Sequence, residues 1–151
     1  MGKNTRGNRR NQRQSHQQNI SSGKNTQSQE RLENDGYVIF SFRNIDRNGQ
    51  FAFDLNVIDC QNFVDKLINF SSMKWSDLVP PDGKSHHHIL SPSSFSDEAK
   101  ERIRTKGFDK DSDNIFSFRL GNKARLLGIK YVTIFYVVWY DPEHKFAPSK
   151  R

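Results

Sequence analysis

The sequence predicts an α+β domain in which an antiparallel sheet of about five strands carries two helices on one face. Three observations predict this class. Two strand-like stretches flank an Asn-Gly pair near the start of the domain, two segments with helix caps follow, and three strand-like segments lie in a row at the end. The resulting order is β-β-α-α-β-β-β, within a domain that spans residues 37–148.

The first two strands are predicted at 37–45 and 51–55. The first stretch is rich in aromatic and β-branched residues, and the second alternates apolar residues with small or acidic ones. Asn48-Gly49 lies between them. Because both central positions of a type I′ turn need a positive φ, this pair favours a tight β-hairpin.

Two helices are predicted in the middle of the domain. Asp59 is a candidate N-cap for the first helix, whose apolar residues recur at helical spacing and predict a buried face. Ser96 is a candidate N-cap for the second helix, and Gly107 is expected to end it. The apolar face of the first helix, with its cysteine as a small core residue, comprises Cys60, Phe63, Val64, Leu67 and Ile68.

Three strands are predicted at 115–120, 124–131 and 133–140. The last is apolar on both faces, which is typical of a central strand that is covered on both sides. Gly121-Asn122 predicts a tight turn between the first two. The sequence Asp141-Pro142 is expected to end the third.

The turn geometry predicts the face that each basic residue of this meander occupies. If Gly121-Asn122 is a two-residue loop, Phe118 lies opposite Arg125, and Arg125 then shares the core face. Arg119 and Lys130 then occupy the other face. Near the end of its strand, Arg125 can extend past the core towards solvent.

The charge of the chain is divided unequally. Residues 1–36 contain no aromatic residue and only Met1, Ile20 and Leu32 as apolar ones, a composition that predicts disorder. The first 29 residues are rich in Asn and Gln and hold no acid, so residues 30–151 carry 18 of the 24 basic side chains against all 17 acids. Cations in a flexible tail bind nucleic-acid phosphates without sequence preference, and the alternative is a solubilising segment. The tail cations are Lys3, Arg6, Arg9, Arg10, Arg13 and Lys24.

The sequence also bears on the location of the protein and on its cofactors. No apolar run is long enough to cross a membrane, and the first residues lack the apolar core of a signal peptide, so we expect a cytoplasmic protein with no membrane partner. The single cysteine excludes a disulfide scaffold. His86, His87 and His88 are consecutive and have no convincing further ligand, so no metal site and no cofactor are predicted. The interpretations left open for them are a solvated loop and a contact with substrate or partner.

The segment 115–144 combines an aromatic strand with an Arg, a tight turn, a basic second strand, an apolar third strand and a His just after it. This pattern resembles the strand meander that ends RelE/YoeB-type toxins, small α+β ribonucleases that cut mRNA on the ribosome. Lys123 to Leu126 resembles the basic segment of the YoeB branch, and His144 resembles its late His. The sequence departs from that branch where Lys145 and Phe146 follow the His, because the branch has a Tyr there.

The resemblance implies a RelE-like fold and a metal-independent endoribonuclease, with an RNA or ribosome target and an antitoxin partner. The 2′-hydroxyl of the RNA is then the nucleophile. Cations near the scissile phosphate stabilise the charge that develops in the transition state, and a His can transfer a proton near neutral pH. Either Asp141 or Glu143 can orient that His. The implied catalytic residues are His144, Arg119, Arg125 and Lys130, with Lys123 as a further nucleic-acid contact.

Two other functions stay open. The first is a non-catalytic RNA-, DNA- or ribosome-binding protein that uses its basic tail. The second is a protein-interaction module, such as an accessory or phage factor. The near balance of charge in residues 30–151 counts against the enzyme, because a surface that cuts RNA unaided is usually basic.

Overall fold

The computed structural model describes residues 35–150, which belong to the unit Glu33–Arg151. Five strands form a single sheet. They are β1 (Ile39–Ser41), β2 (His88–Ile89), β3 (Ile115–Arg119), β4 (Arg125–Tyr131) and β5 (Ile134–Asp141).

The sheet has the strand order β1-β5-β4-β3-β2 and is mixed. The short strand β1 runs parallel to β5, whereas the other neighbouring strands are antiparallel. The α+β class is therefore confirmed. The prediction of a purely antiparallel sheet is wrong. β1 lies parallel to β5 at the edge of the sheet, and parallel neighbours are joined by a long connection and not by a hairpin.

The predicted hairpin of 37–45 with 51–55 is also wrong. Gly49 has a φ of 83°, so a turn does form there. The chain around it lies along β5 instead of forming a second strand, since Asp46 donates its N–H to the carbonyl of Val138 at 2.8 Å and Phe51 accepts from the N–H of Tyr140 at 3.0 Å. The fifth strand of the sheet is β2, on the opposite edge.

Three α-helices are present in the described part of the chain: α1 (Cys60–Ser71), α2 (Trp75–Leu78) and α3 (Asp97–Lys106). The predicted caps are confirmed. Asp59 accepts from the N–H of Asn62, Ser96 accepts from the N–H of Ala99, and Gly107 ends α3 with a φ of 75°. None of the helices among residues 35–150 combines the length and apolarity that crossing a membrane requires. Two 3-10 helices, Pro92–Ser94 and Asp109–Asn114, complete the elements.

The helices cover both faces of the sheet. The face on which α1 and α2 pack includes Phe116 and Phe118, and the face on which α3 packs includes Leu127 and Trp139. The prediction of two helices on one face is therefore wrong. The reason lies in the strands, because β3, β4 and β5 are apolar at successive positions and need cover on both sides. The predicted double burial of the last strand is confirmed.

Only part of the predicted apolar face of α1 is buried. Phe63 is buried and Leu67 is partly buried against the core, whereas 50% of Val64 and 61% of Ile68 are exposed. Cys60 is exposed as well, so its assignment to the core is wrong. At the first turn of the helix, its thiol donates to the carbonyl of Ile58 at 3.6 Å.

A glycine makes the central pairing of the sheet possible. The register of β4 and β5 shifts between Leu127 and Gly128, which is a β-bulge. A Cβ on Gly128 would fall on the carbonyl oxygen of Tyr136 and lie 2.9 Å from the Cζ of Phe135. Close approach of the two backbones therefore requires glycine at this position.

A buried carboxylate ties the turn around residue 49 to both α3 and β5. Asp46 is 1% exposed. Its oxygens accept from the guanidinium of Arg102 at 2.8–3.0 Å, from the indole N–H of Trp139 at 3.0 Å and from the N–H of Asn48 at 3.1 Å. The carboxylate is therefore fully partnered, as a buried charge must be.

Candidate nucleic-acid interface

The connection between β3 and β4 decides where the two arginines lie. Leu120 donates its N–H to the carbonyl of Ala124 at 3.0 Å, so three residues and not two form the loop. Phe118 consequently pairs with Leu126, and Arg119 pairs with Arg125. The predicted pairing of Phe118 with Arg125 is wrong by one residue, and a shift of one residue moves a side chain to the other face. Both arginines therefore share one face of the sheet.

The partners of the two guanidinium groups are backbone carbonyls. Arg119 donates from Nε to the oxygen of Gly121 at 3.0 Å. Arg125 donates from Nη1 to the oxygens of Gly121, Asn122 and Ala124 at 3.0–3.4 Å. Within residues 35–150, neither group has a carboxylate within 4.0 Å. Burial and then the nearby charge of Arg119 lower the pKa of Arg125, while Asp141, its cross-strand partner on β5, opposes this effect.

His144 lies in the turn that follows β5, at the same end of the sheet. Its backbone has a φ of 60°, in the left-handed region that His adopts more readily than most residues. Burial, and then the charge of Arg125, lower the pKa of its imidazole, while Asp141 opposes this effect. His144 is therefore neutral near pH 7, in the form that accepts a proton.

The two acids that flank the turn have structural partners of their own. Asp141 is 1% exposed and accepts from the N–H groups of Glu143 at 3.2 Å and Phe146 at 2.8 Å. Glu143 forms an exposed ion pair with Lys123 at 3.3 Å. Among the described residues, neither acid has a hydrogen bond to the imidazole of His144, so they fix the turn that carries it and do not orient its ring directly.

The other predicted cations lie in different places. The ion pair of Lys123 joins the β3–β4 loop to the turn of His144. Lys130 lies towards the far end of β4, where its Nζ is 4.7 Å from the ring centre of Trp75 and donates to the oxygen of Val132 at 3.0 Å. Burial lowers its pKa. Lys130 is thus separate from the other candidates. The tail cations Lys3, Arg6, Arg9, Arg10, Arg13 and Lys24 lie outside the described residues.

The histidine segment contributes two residues for which sequence reasoning left open a solvated loop or a contact with substrate or partner. His88 pairs with Ser117 on β3, and its charge acts on the imidazole of His144. His87 accepts the N–H of Arg119 at Nδ1, at 3.0 Å. The alternation of side chains along an extended segment separates His88 from His87, but it does not indicate which residues either one contacts. No three His, Cys, Asp or Glu side chains among residues 35–150 are placed to hold a metal ion.

We call this end of the sheet the sheet-end cluster. It places two paired arginines beside a neutral histidine, and a lysine and a second histidine lie next to them. Such a surface can bind a phosphate and move a proton next to it. The residues of the sheet-end cluster are His88, Arg119, Lys123, Arg125 and His144.

Comparisons with known proteins find no relative: no protein-family model, no curated protein and no solved structure matches the chain. The similarity of 115–144 to RelE/YoeB-type toxins thus stays a prediction, as does the implied RelE-like fold. The function is therefore inferred from the residues of the sheet-end cluster.

Proposed function

We propose that this protein binds RNA at the sheet-end cluster and is a toxin-type, metal-independent endoribonuclease that acts on ribosome-bound mRNA. The observation that carries the proposal is the direct cross-strand pair of Arg119 and Arg125 beside His144. Like charges placed opposite each other destabilise a sheet. On its other side Arg125 faces Asp141 of β5, and a bound anion would relieve the repulsion from Arg119 that remains.

A phosphate group suits this pair. Guanidinium groups are planar and offer parallel N–H donors, which match phosphate oxygens and form strong charge-assisted hydrogen bonds. A phosphate between Arg119 and Arg125 converts their mutual repulsion into two attractions. Lys123 and the tail cations add affinity for neighbouring phosphates without reading sequence.

The neutral imidazole favours RNA as the nucleic acid, because RNA carries a 2′-hydroxyl beside each phosphodiester. His144 takes the proton of that hydroxyl, and the 2′-oxygen attacks the phosphorus. The bond from phosphorus to the 5′-oxygen breaks, which leaves a 2′,3′-cyclic phosphate and a 5′-hydroxyl protonated from solvent water. Arg119 and Arg125 stabilise the negative charge that builds on the phosphoryl oxygens.

A ribosomal target would bring the domain to mRNA without strong attraction to free RNA. Residues 30–151 are nearly balanced in charge, so the domain has little electrostatic attraction for free RNA. An acidic antitoxin segment that covers the sheet-end cluster would block both binding and cleavage. The same charge balance favours the second candidate function, a non-catalytic protein that binds RNA, DNA or the ribosome mainly through its tail.

Primer extension on mRNA translated in a reconstituted bacterial system tests the proposal. His144→Asn keeps a side chain that tolerates the left-handed backbone but cannot act as the base. Lys110→Gln is the matched control. Lys110 is exposed and lies in the 3-10 helix that precedes β3, whereas Arg119 lies at the other end of that strand. We expect new cleavage ends within the reading frame for the wild type and the control, and none for His144→Asn.

Intact mRNA with the wild-type protein would contradict the enzymatic proposal. Equal cleavage by the wild type and His144→Asn would contradict the role of His144.

A further inference from the structure

A cleft of about 480 Å³ opens next to the sheet-end cluster. It lies between α1, α2, the histidine segment and the start of the β3–β4 loop, and its volume is in the range of sites that hold small organic ligands. Arg119 lines it and also belongs to the sheet-end cluster. Arg119, at the end of β3, is therefore the residue at which the cleft adjoins the sheet-end cluster.

The walls of the cleft differ in character. Phe70, Met73 and Leu78 provide an apolar side. Lys66 and Lys84 provide positive charge. The one carboxylate of the lining, Asp77, accepts the N–H of Lys74 at 3.3 Å, so it is engaged in capping α2. These walls suit a ligand that combines an apolar, flat portion with an anionic group.

A chain of hydrogen bonds holds the histidine wall in place. Ser85 donates its hydroxyl to the carbonyl of Leu78 and accepts the N–H of His87 at 2.9 Å. His87 in turn accepts the N–H of Arg119, at 3.0 Å. The segment is thus fixed to α2 on one side and to β3 on the other. A preformed wall of this kind lowers the entropy lost when a ligand binds.

His87 adds a neutral aromatic group to the lining. Burial lowers its pKa to about 4, and the neighbouring histidines and Lys66 add to the effect. Because Nδ1 accepts a hydrogen bond, Nε2 carries the proton of the neutral ring and is a donor. A neutral ring with one donor suits the edge or face of a nucleobase.

We propose that this cleft holds one nucleotide of the bound RNA, with its base on the apolar side and its phosphate near Lys66 and Lys84. The adjoining phosphate of the strand then lies at Arg119. This inference rests on the proposed function and deepens it, because it assigns a base-binding subsite to the phosphate site. A free nucleotide has the same chemistry, and the experiment separates the two sources.

The test compares three probes by fluorescence anisotropy, with the full chain carrying His144→Asn so that RNA is not cut. The first is a short single-stranded oligoribonucleotide, the second an abasic oligomer with the same number of phosphates, and the third a free nucleoside monophosphate as competitor. Two tryptophan variants on α1 are compared. Asn69→Trp fills the cleft, and Asn62→Trp is the matched control on the same helix, away from it.

We expect the oligomer with bases to bind at least about fivefold more tightly than the abasic one, the lower end of what stacking of one base contributes. Asn69→Trp should abolish this preference, and Asn62→Trp should keep it. Equal binding of the two oligomers, or a preference that survives Asn69→Trp, would overturn the inference. A free mononucleotide that competes as strongly as the oligomer would overturn the assignment of the base to the RNA strand.

Failure of the proposed function has a different signature. In that case Arg119→Gln and Arg125→Gln leave binding of the abasic oligomer unchanged, whatever the two tryptophan variants do. The base preference and the phosphate dependence are therefore read from separate probes.

Discussion

Arg119 and Arg125 lie directly opposite each other on adjacent strands, and the carbonyl oxygen of Gly121 accepts a hydrogen bond from each. One loop residue thereby positions two like charges, at the end of the sheet where His144 also lies. The arrangement opposes the electrostatic preference of a sheet surface. Binding of a phosphate removes this conflict, which is why the pair is central to the proposed function.

The pH dependence of cleavage should follow the imidazole of His144. Its pKa lies below the ordinary value of 6.5, so the neutral base persists below pH 6.5 and activity should fall only under more acidic conditions. Arg125→Gln removes a charge that lowers this pKa and should move the acid limb of the profile to higher pH. NMR titration of the imidazole measures this directly, with His86→Asn as a control. A downward or absent shift in Arg125→Gln would contradict the coupling of the two residues.

The stability of the domain should fall as the pH falls from 6.5 to about 4. The upper value is the ordinary pKa of a histidine, and the lower one is the pKa of His87 in the folded protein. In this window the unfolded chain binds a proton that the folded protein does not, so stability is present above it and lost within it. The half-exposed ring is screened by solvent, and we expect this group to contribute about 1–2 kcal/mol of the loss.

His87→Asn should remove this part of the loss, because the amide oxygen accepts the N–H of Arg119 without titrating. Urea unfolding at pH 7.5 and 4.5 measures the effect, and His86→Asn is the exposed control. The assignment to His87 is contradicted if both variants lose as much stability as the wild type.

Gly128→Ala should destabilise the domain by at least about 2 kcal/mol, because the new methyl group meets the backbone of Tyr136 across the β-bulge. Gly121→Ala is the matched control, since a Cβ there has no neighbour within 4 Å. Thermal unfolding compares the two variants. Equal melting temperatures would show that β4 and β5 do not approach as closely as the bulge requires.

Asp46→Asn should cost about 3 kcal/mol or more, because it leaves the guanidinium of Arg102 without its buried carboxylate. Asp97→Asn removes a carboxylate that is 97% exposed and pairs with Lys100 at 3.6 Å, so it should cost less than about 1 kcal/mol. Denaturant unfolding of both variants checks the difference. A small cost at Asp46 would contradict its role in joining the turn to α3 and β5.

The parts of the fold that depend on local chemistry were predictable from the sequence. Asp59, Ser96 and Gly107 act within one helical turn, and the strands from residue 115 onwards follow from short runs of aromatic and β-branched residues bounded by turn residues. The pairing of β1 with β5 was not predictable in this way, because it joins segments more than ninety residues apart. The turn at Gly49 shows the same limit, since contacts of Asp46 with Trp139 and Arg102 decide where it lies.

The identities of the candidate site residues were predictable from the sequence, but their relative positions were not. Arg119, Arg125 and His144 were identified from residue type and from the resemblance of 115–144. Their common location depends on a loop of three residues where the Gly-Asn pair indicated two. The place of His87 depends on a side-chain hydrogen bond to β3, for which sequence periodicity holds no signal.

The salt dependence of RNA binding tests the central claim most directly. The double variant Arg119→Gln/Arg125→Gln is compared with Lys100→Gln/Lys110→Gln, which loses the same charge at exposed positions. We expect the first variant to bind single-stranded RNA at least about tenfold more weakly at low salt, with a log–log salt slope smaller by about 1–2. The control should bind like the wild type. If the two variants bind alike, and deletion of residues 1–29 alone removes the affinity, the sheet-end cluster is not the RNA site.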